Sequence, residues 1–189
     1  MRQPIEKIVP LKGPANIIRL MKLFNLQLIF LLLAAATSSF AQKLTPPKLH
    51  KEAADFTLPT PAGENLQLSS LRGQYVLVDF WASWCMPCRA EIPHLKDLYA
   101  KYHAAGLEIV SVSADAHPEA WKMAMRQEQM PWKQVLDTYS GTGNFSDVAG
   151  GYGVESIPYI FLLDKEGIVI AVNPEPRALD KQLKKLFGN

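Results

Sequence analysis

Cysteine is scarce in this chain. Its 189 residues hold two, Cys85 and Cys88, with two residues between them. So small a supply excludes the multi-bridge framework of disulfide-stapled scaffolds and a zinc site built on four cysteines. Histidine is hardly commoner: His50, His94, His103 and His117 are scattered, with no pair at ligand spacing. No charge of one sign dominates either. The formal net charge is +2, but residues 1–41 carry five bases and one acid, so the remainder has 15 bases against 17 acids, a net of −2. Nothing basic is left to argue for nucleic acid. Long hydrophobic runs are also missing. The run LIFLLLAAA at 28–36 is nine residues long, whereas spanning a bilayer takes about 20.

That short run has a meaning of its own. Lys22 precedes it and TSSFAQ follows, so a charged segment, an apolar segment and a small-x-small site come in order. This is the pattern of a secretory signal, with Ser39 and Ala41 at −3 and −1 and cleavage before Gln42. The expectation is a periplasmic or otherwise extracytoplasmic protein. The alternative is an uncleaved, tilted anchor beginning near Leu20. No cysteine lies near the cleavage site to carry a lipid. Residues 1–20 hold three prolines and stretch the charged region unusually far, which points to Met21 as the true start. The chain thus divides into an extension and signal (1–41), a polar linker containing Pro46-Pro47 (42–53) and one domain (54–189).

Within the domain, FTL and LQL flank PTPAGEN, a small hairpin turning near Gly63. YVLVDFW (75–81) is apolar except for Asp79, as a strand buried on both faces would be. Beyond Pro87 the period changes. Ile92, Leu95, Leu98, Tyr99 and Tyr102 recur at helical steps, and Gly106 supplies a stop. LEIVSVS (107–113) is the next strand, and a helix opens at Pro118 and closes at Pro131. WKQVL reads as a short strand, and 141–153 as a glycine-rich loop with one helical turn. YIFLL and IVIAV pair around DKEG, and a terminal helix enters at Pro176. The GTGNFS stretch in the glycine-rich loop lacks the lysine and preceding strand of a phosphate loop. Trp121, Trp132 and Tyr99 read as core aromatics. The order predicts an α/β fold, with a mixed central sheet flanked by helices and an extra N-terminal β-hairpin.

The two cysteines sit where strand 75–81 gives way to the helix. A bridge across two intervening residues closes a tiny loop, and such loops gain least from closure. A structural staple is therefore a poor reason to place them here. Two thiolates can hold a soft metal, but zinc takes four ligands and no others converge. At a helix N-terminus, by contrast, unpaired N–H groups and the dipole favour a thiolate. On this reading Cys85, at the tip, is the exposed nucleophile and Cys88 sits about one turn inward.

The segments VLVDFWASWCMPCRAEIP (76–93), GYGVESIPYIFLLDKEG (151–167) and FTLPTPAGENLQLSSLRG (56–73) resemble the thioredoxin superfamily. The likeness is to its secreted TlpA/ResA-type thiol-disulfide oxidoreductases, in the AhpC/TSA-redoxin-like branch. It covers roughly residues 54–189. A Cys-x-x-Cys alone is a weak signal; Trp-Cys-x-Pro-Cys after an apolar strand, with Ile-Pro about 70 residues later, is strong. The resemblance implies that Cys85 attacks a substrate disulfide, that Cys88 resolves the mixed disulfide, and that the two form a redox-active disulfide. It implies that Pro158 is a cis-proline beside the pair, that Ile157 lines the substrate groove and that Trp84 shields one side. Two acids match family positions: Asp79 the buried aspartate of thioredoxin, Glu91 the buried glutamate of the TlpA/ResA type. Each could relay a proton for Cys88. The plainer readings are a hydrogen-bonded strand carboxylate for Asp79 and a solvated acid in the first helical turn for Glu91. Having both departs from either pattern alone.

The family implies protein disulfides as substrates, a membrane electron-donor protein, a monomer, no cofactor and no bound metal. Haem-binding apocytochrome thiols, in cytochrome c biogenesis, and misoxidised exported proteins are the substrate classes it suggests. Met86-Pro87 between the cysteines resembles the reducing members, so a reductant is expected. Two rivals share the fold. A copper or zinc carrier would hold stoichiometric metal when purified without chelator. A thiol peroxidase would need the Pro-x-x-x-Thr-x-x-Cys motif, and VDFWASWC has neither that proline nor that threonine.

Overall fold

The computed structural model describes residues 45–138 and 147–188. The expected signal (1–41), Met21 and GTGNFS lie outside them. Two short strands, β1 (Thr57–Pro59) and β2 (Asn65–Gln67), pair antiparallel as the expected hairpin. A 3₁₀ turn (Leu68–Leu71) leads into β3 (Tyr75–Trp81). Helix α1 (Met86–Tyr102) and a 3₁₀ turn (His103–Ala105) follow. Then come β4 (Leu107–Ser113), α2 (Pro118–Glu128) and β5 (Lys133–Leu136). The chain ends with α3 (Asp147–Gly151), β6 (Tyr159–Leu163), β7 (Val169–Val172) and α4 (Pro176–Phe187).

The main sheet has the order β5-β4-β3-β6-β7. Strands β3, β4 and β5 run parallel, while β6 and β7 are antiparallel additions. β3 sits at the centre, which explains its nearly continuous apolar character: it is covered on both faces. Alternation along the strands sorts residues between two cores. Val76, Val78 and Phe80 pack with Val110, Val112, Phe161 and Leu163 on one face. Leu77, Trp81, Ile109, Ile160 and Leu162 pack on the other, with Cys85, Cys88 and Ile92. Odd-numbered positions of β3 and β4 therefore point to the cysteine face, and Asp79 and Ser111 occupy two of them. Both are buried.

Gly106 takes the left-handed conformation (φ 105°) that ends the α1 segment and starts β4, as its position after the apolar period predicts. Helix α2 stops at Glu128, three residues before Pro131, with Gln129 in the left-handed region as its cap. Pro93 lies inside α1, where it has no N–H to give the Arg89 carbonyl.

The end of the expected linker is not free. His50 and Ala53 donate backbone N–H groups to Val169 and Gly167, and Val169 donates to Lys51, at 2.8–3.0 Å. Glu52 bridges Ile168, and Ala53 is buried. The exposed edge of β7 presents unpaired backbone groups, and residues 50–53 satisfy them. The folded unit thus begins ahead of residue 54. Among the described residues, no helix is long and apolar enough to cross a membrane.

Candidate active site

Cys85 is the N-cap of α1, with an extended backbone, and its Sγ accepts the Cys88 N–H at 3.2 Å. Pro87 falls in the first turn, where a missing N–H costs nothing. The two sulfurs are bonded at 2.05 Å, with Cα atoms 5.3 Å apart. The structure is that of the oxidised pair.

Here one expectation needs correcting. Cys85 was to be exposed and Cys88 hidden, yet each is 4% exposed. Capping the helix and bonding to Cys88 turn the Cys85 sulfur inward, so exposure does not distinguish the two in this state. The exposed groups are their neighbours: Trp84 at 63% and Met86 at 69%. Trp84 flanks the pair in sequence, but its ring stands mostly in solvent. Ile157 packs against the cluster that holds both cysteines, and the Ile157–Pro158 bond is cis.

Asp79 lies deep in β3. Its Oδ2 accepts the Ser111 hydroxyl at 2.8 Å, and Ser111 Oγ in turn accepts the Trp132 indole N–H at 2.8 Å. Burial pushes the Asp79 carboxyl up to about 7; the Ser111 hydrogen bond works against that, and the Glu91 charge adds to it. Asp79 is thus both a hydrogen-bonded strand carboxyl and a group poised to exchange a proton near neutrality.

Glu91 is only half-buried, as the sixth residue of α1. It lies past the first turn, where the dipole has little effect. Its pKa is raised, first by burial; the Glu175 charge adds and His94 opposes. It lines a cleft of about 160 Å³ with Pro158, Ile160, Asn173 and Glu175. His94, also on that cleft, lies 2.7 Å from Asp180 of α4, which ties the two helices together.

Two groups that sequence reasoning missed hold the site. The buried Asp115 carboxylate accepts the Ser83 N–H (2.9 Å), the Ser83 hydroxyl (2.6 Å) and the Ser113 hydroxyl (2.7 Å). It anchors the loop before Cys85 to the end of β4. Ser111, with Trp132 behind it, was read as plain strand and core. Among the described residues no group of three or more His, Cys, Asp or Glu side chains converges as a metal site.

The model of the AhpC/TSA family matches residues 49–172, most of the chain and the whole of this site. The chain belongs to the AhpC/TSA family. Its curated relatives include the thiol-disulfide oxidoreductase ResA of Bacillus cereus, 34% identical over 123 residues, 65% of this chain and 68% of that one. ResA of Bacillus subtilis is 32% identical over 121 residues, 64% of each. Among solved structures, a thiol-disulfide oxidoreductase from Bacteroides fragilis superposes with a TM-score of 0.66 at 34% identity, covering 72% of this chain and 99% of that one. The thioredoxin domain of another, from Bacteroides vulgatus, gives 0.67 at 31% identity, with 74% and 98% covered. With its Cys-x-x-Cys disulfide at a helix N-terminus, this member of the family stands among the thiol-disulfide oxidoreductases, and the expected thioredoxin fold is the one observed.

Proposed function

We propose that this AhpC/TSA-family chain is an exported reductant of protein disulfides. The observation that carries the reading is the placement of Cys85–Cys88 at the head of α1, on the same sheet face as the buried acid Asp79. In the reduced enzyme the Cys85 thiolate attacks one sulfur of a substrate disulfide. A mixed disulfide forms, and the leaving substrate sulfur departs as a thiolate and takes a proton. Cys88 then gives its proton to a carboxylate. Asp79 suits this, because its midpoint near 7 lets it both accept and release at neutral pH. The Cys88 thiolate attacks Cys85 Sγ, the second substrate thiol leaves, and the enzyme is left with the disulfide seen here. Two electrons have passed to the substrate. A dithiol donor in the membrane restores the pair by the same exchange in reverse.

On this reading cis-Pro158, which lines the cleft with Glu91, and its neighbour Ile157 would border the groove for the substrate strand, and exposed Trp84 and Met86 would offer it apolar contact. Disulfides of haem-binding apocytochromes are one substrate class; misoxidised exported proteins are the other. Export is supported by Lys22, the apolar run 28–36 and the small residues Ser39 and Ala41. N-terminal sequencing of the mature protein should begin at Gln42.

Trapping tests the mechanism. Cys88→Ser should accumulate the enzyme joined through Cys85 to its substrate, and Cys85→Ser should not. Capture by Cys85→Ser alone would overturn the assignment of the nucleophile. Direction is tested by the reduction potential. Relatives of this chemistry span about −270 to −120 mV, which is roughly 7 kcal/mol, and a value above about −180 mV would refute the reductant.

A further inference from the structure

Resting on the reading of Asp79 as the acid that serves Cys88, the hydrogen bonds behind it assign a role to two more residues. Asp79 and Ser111 are direct partners in the parallel pairing of β3 and β4, and both point to the cysteine face. Behind Ser111 stands Trp132, just ahead of β5. The three are buried at 4%, 0% and 5% exposure, so their polar atoms depend on one another for hydrogen bonds.

The chemistry of the chain gives it a direction. An indole N–H can only donate, so Ser111 Oγ must accept from Trp132 Nε1 at 2.8 Å. A hydroxyl has one hydrogen, and that of Ser111 goes to Asp79 Oδ2 at 2.8 Å. The indole engages one lone pair of the oxygen and orients the hydroxyl, whose hydrogen is directed at the acid. A hydrogen donated to a carboxylate favours the charged form, while burial favours the neutral one. The other charged group that bears on Asp79 is Glu91 from α1, and it opposes ionisation. On the flanking strand β6 the register partner is Ile160, which is apolar, and the Cys85–Cys88 disulfide does not titrate.

We propose that Ser111, oriented by Trp132, is a positioning residue for the reaction: its hydroxyl hydrogen, directed at Asp79 Oδ2, favours the charged form of the acid that accepts the Cys88 proton. Without it, burial and Glu91 would act unopposed and shift the acid further towards its neutral form, the form that cannot accept from Cys88. Satisfying a buried indole N–H would by itself require only some acceptor, and that purely structural role predicts no effect on Asp79.

The test is a pH titration of the Asp79 side-chain carboxyl by ¹³C NMR on the oxidised full chain, with Asp79→Asn to assign the signal. Ser111→Ala should raise the midpoint by about one pH unit, a tenfold gain in proton affinity. Ser111→Thr, which keeps the hydroxyl, should return it to the wild-type value. Should the alanine variant fail to fold, Ser111→Val against Ser111→Thr makes the same comparison at nearly equal volume. Equal midpoints in the hydroxyl-bearing and hydroxyl-free variants would overturn the proposal. Insulin-disulfide reduction, measured separately, keeps the two readings distinct. Loss of that activity in the wild type would sink the reductase reading, whereas an unmoved midpoint in an active enzyme would sink this one alone.

Discussion

Asp79 makes a stability prediction whose sign and size follow from its burial. A carboxyl that titrates at its ordinary 3.8 in the unfolded chain does so at about 7 in the fold. Below about pH 4 both states hold the proton, and Asp79 has no effect on the pH dependence of folding. Between those midpoints the folded chain keeps a proton that the unfolded chain has released, so raising the pH lowers stability. Above about 7 both are ionised, and the full cost of a buried charge is present. The gap of roughly three pH units is worth about 4 kcal/mol at 1.36 kcal/mol per unit. That is a large share of the 5–15 kcal/mol by which a typical domain is stable.

Asp79→Asn removes the charge and keeps the shape and an oxygen for Ser111. Urea unfolding of the oxidised proteins, read at several pH values, supplies the comparison. The variant should gain on the wild type progressively from about pH 4 to about pH 8, by up to about 4 kcal/mol. A difference that stays constant across that range would refute the reasoning, because it would mean that Asp79 does not titrate there in the fold.

Two further outcomes follow from neighbours of the site. Asp115→Ala leaves the Ser83 N–H and hydroxyl and the Ser113 hydroxyl without their acceptor. It should cost about 3 kcal/mol in urea unfolding and slow insulin reduction, because the loop before Cys85 loses its anchor. Glu91→Gln removes the charge that adds to the effect of burial on Asp79, so the Asp79 midpoint should fall slightly in the same NMR titration. An upward or absent shift would show that the two acids do not sense each other.

What could be read from the sequence, and what could not, divides along one physical line. Strand β3 was legible because a strand covered on both faces is apolar along its length, interrupted here by Asp79 alone, and β4 because Ile109, Val110 and Val112 cluster after the stop at Gly106. The face of α1 was legible because Ile92, Leu95, Leu98 and Tyr102 repeat at its period. Asp79 stood out because a charge inside such a run is anomalous. Ser111 did not, since a serine in LEIVSVS is unremarkable until the strand register sets it against Asp79. Its partner Trp132 lies 21 residues away and reads as core from its type alone. Asp115 escaped for the same reason: its contact with Ser83 spans 32 residues. Residues 50–53 looked like linker because pairing with a sheet edge uses backbone groups that every residue but proline carries. The direction of the Cys85 sulfur depends on the cap and the disulfide, which a spacing of three does not reveal. Sequence pattern, then, locates the reactive groups, because reactivity is a property of residue type. Their tuning depends on which polar atom faces which across the sheet. In this chain a parallel register carries that information, and a single-residue slip of β4 would turn Ser111 to the opposite face and leave Asp79 buried without its donor.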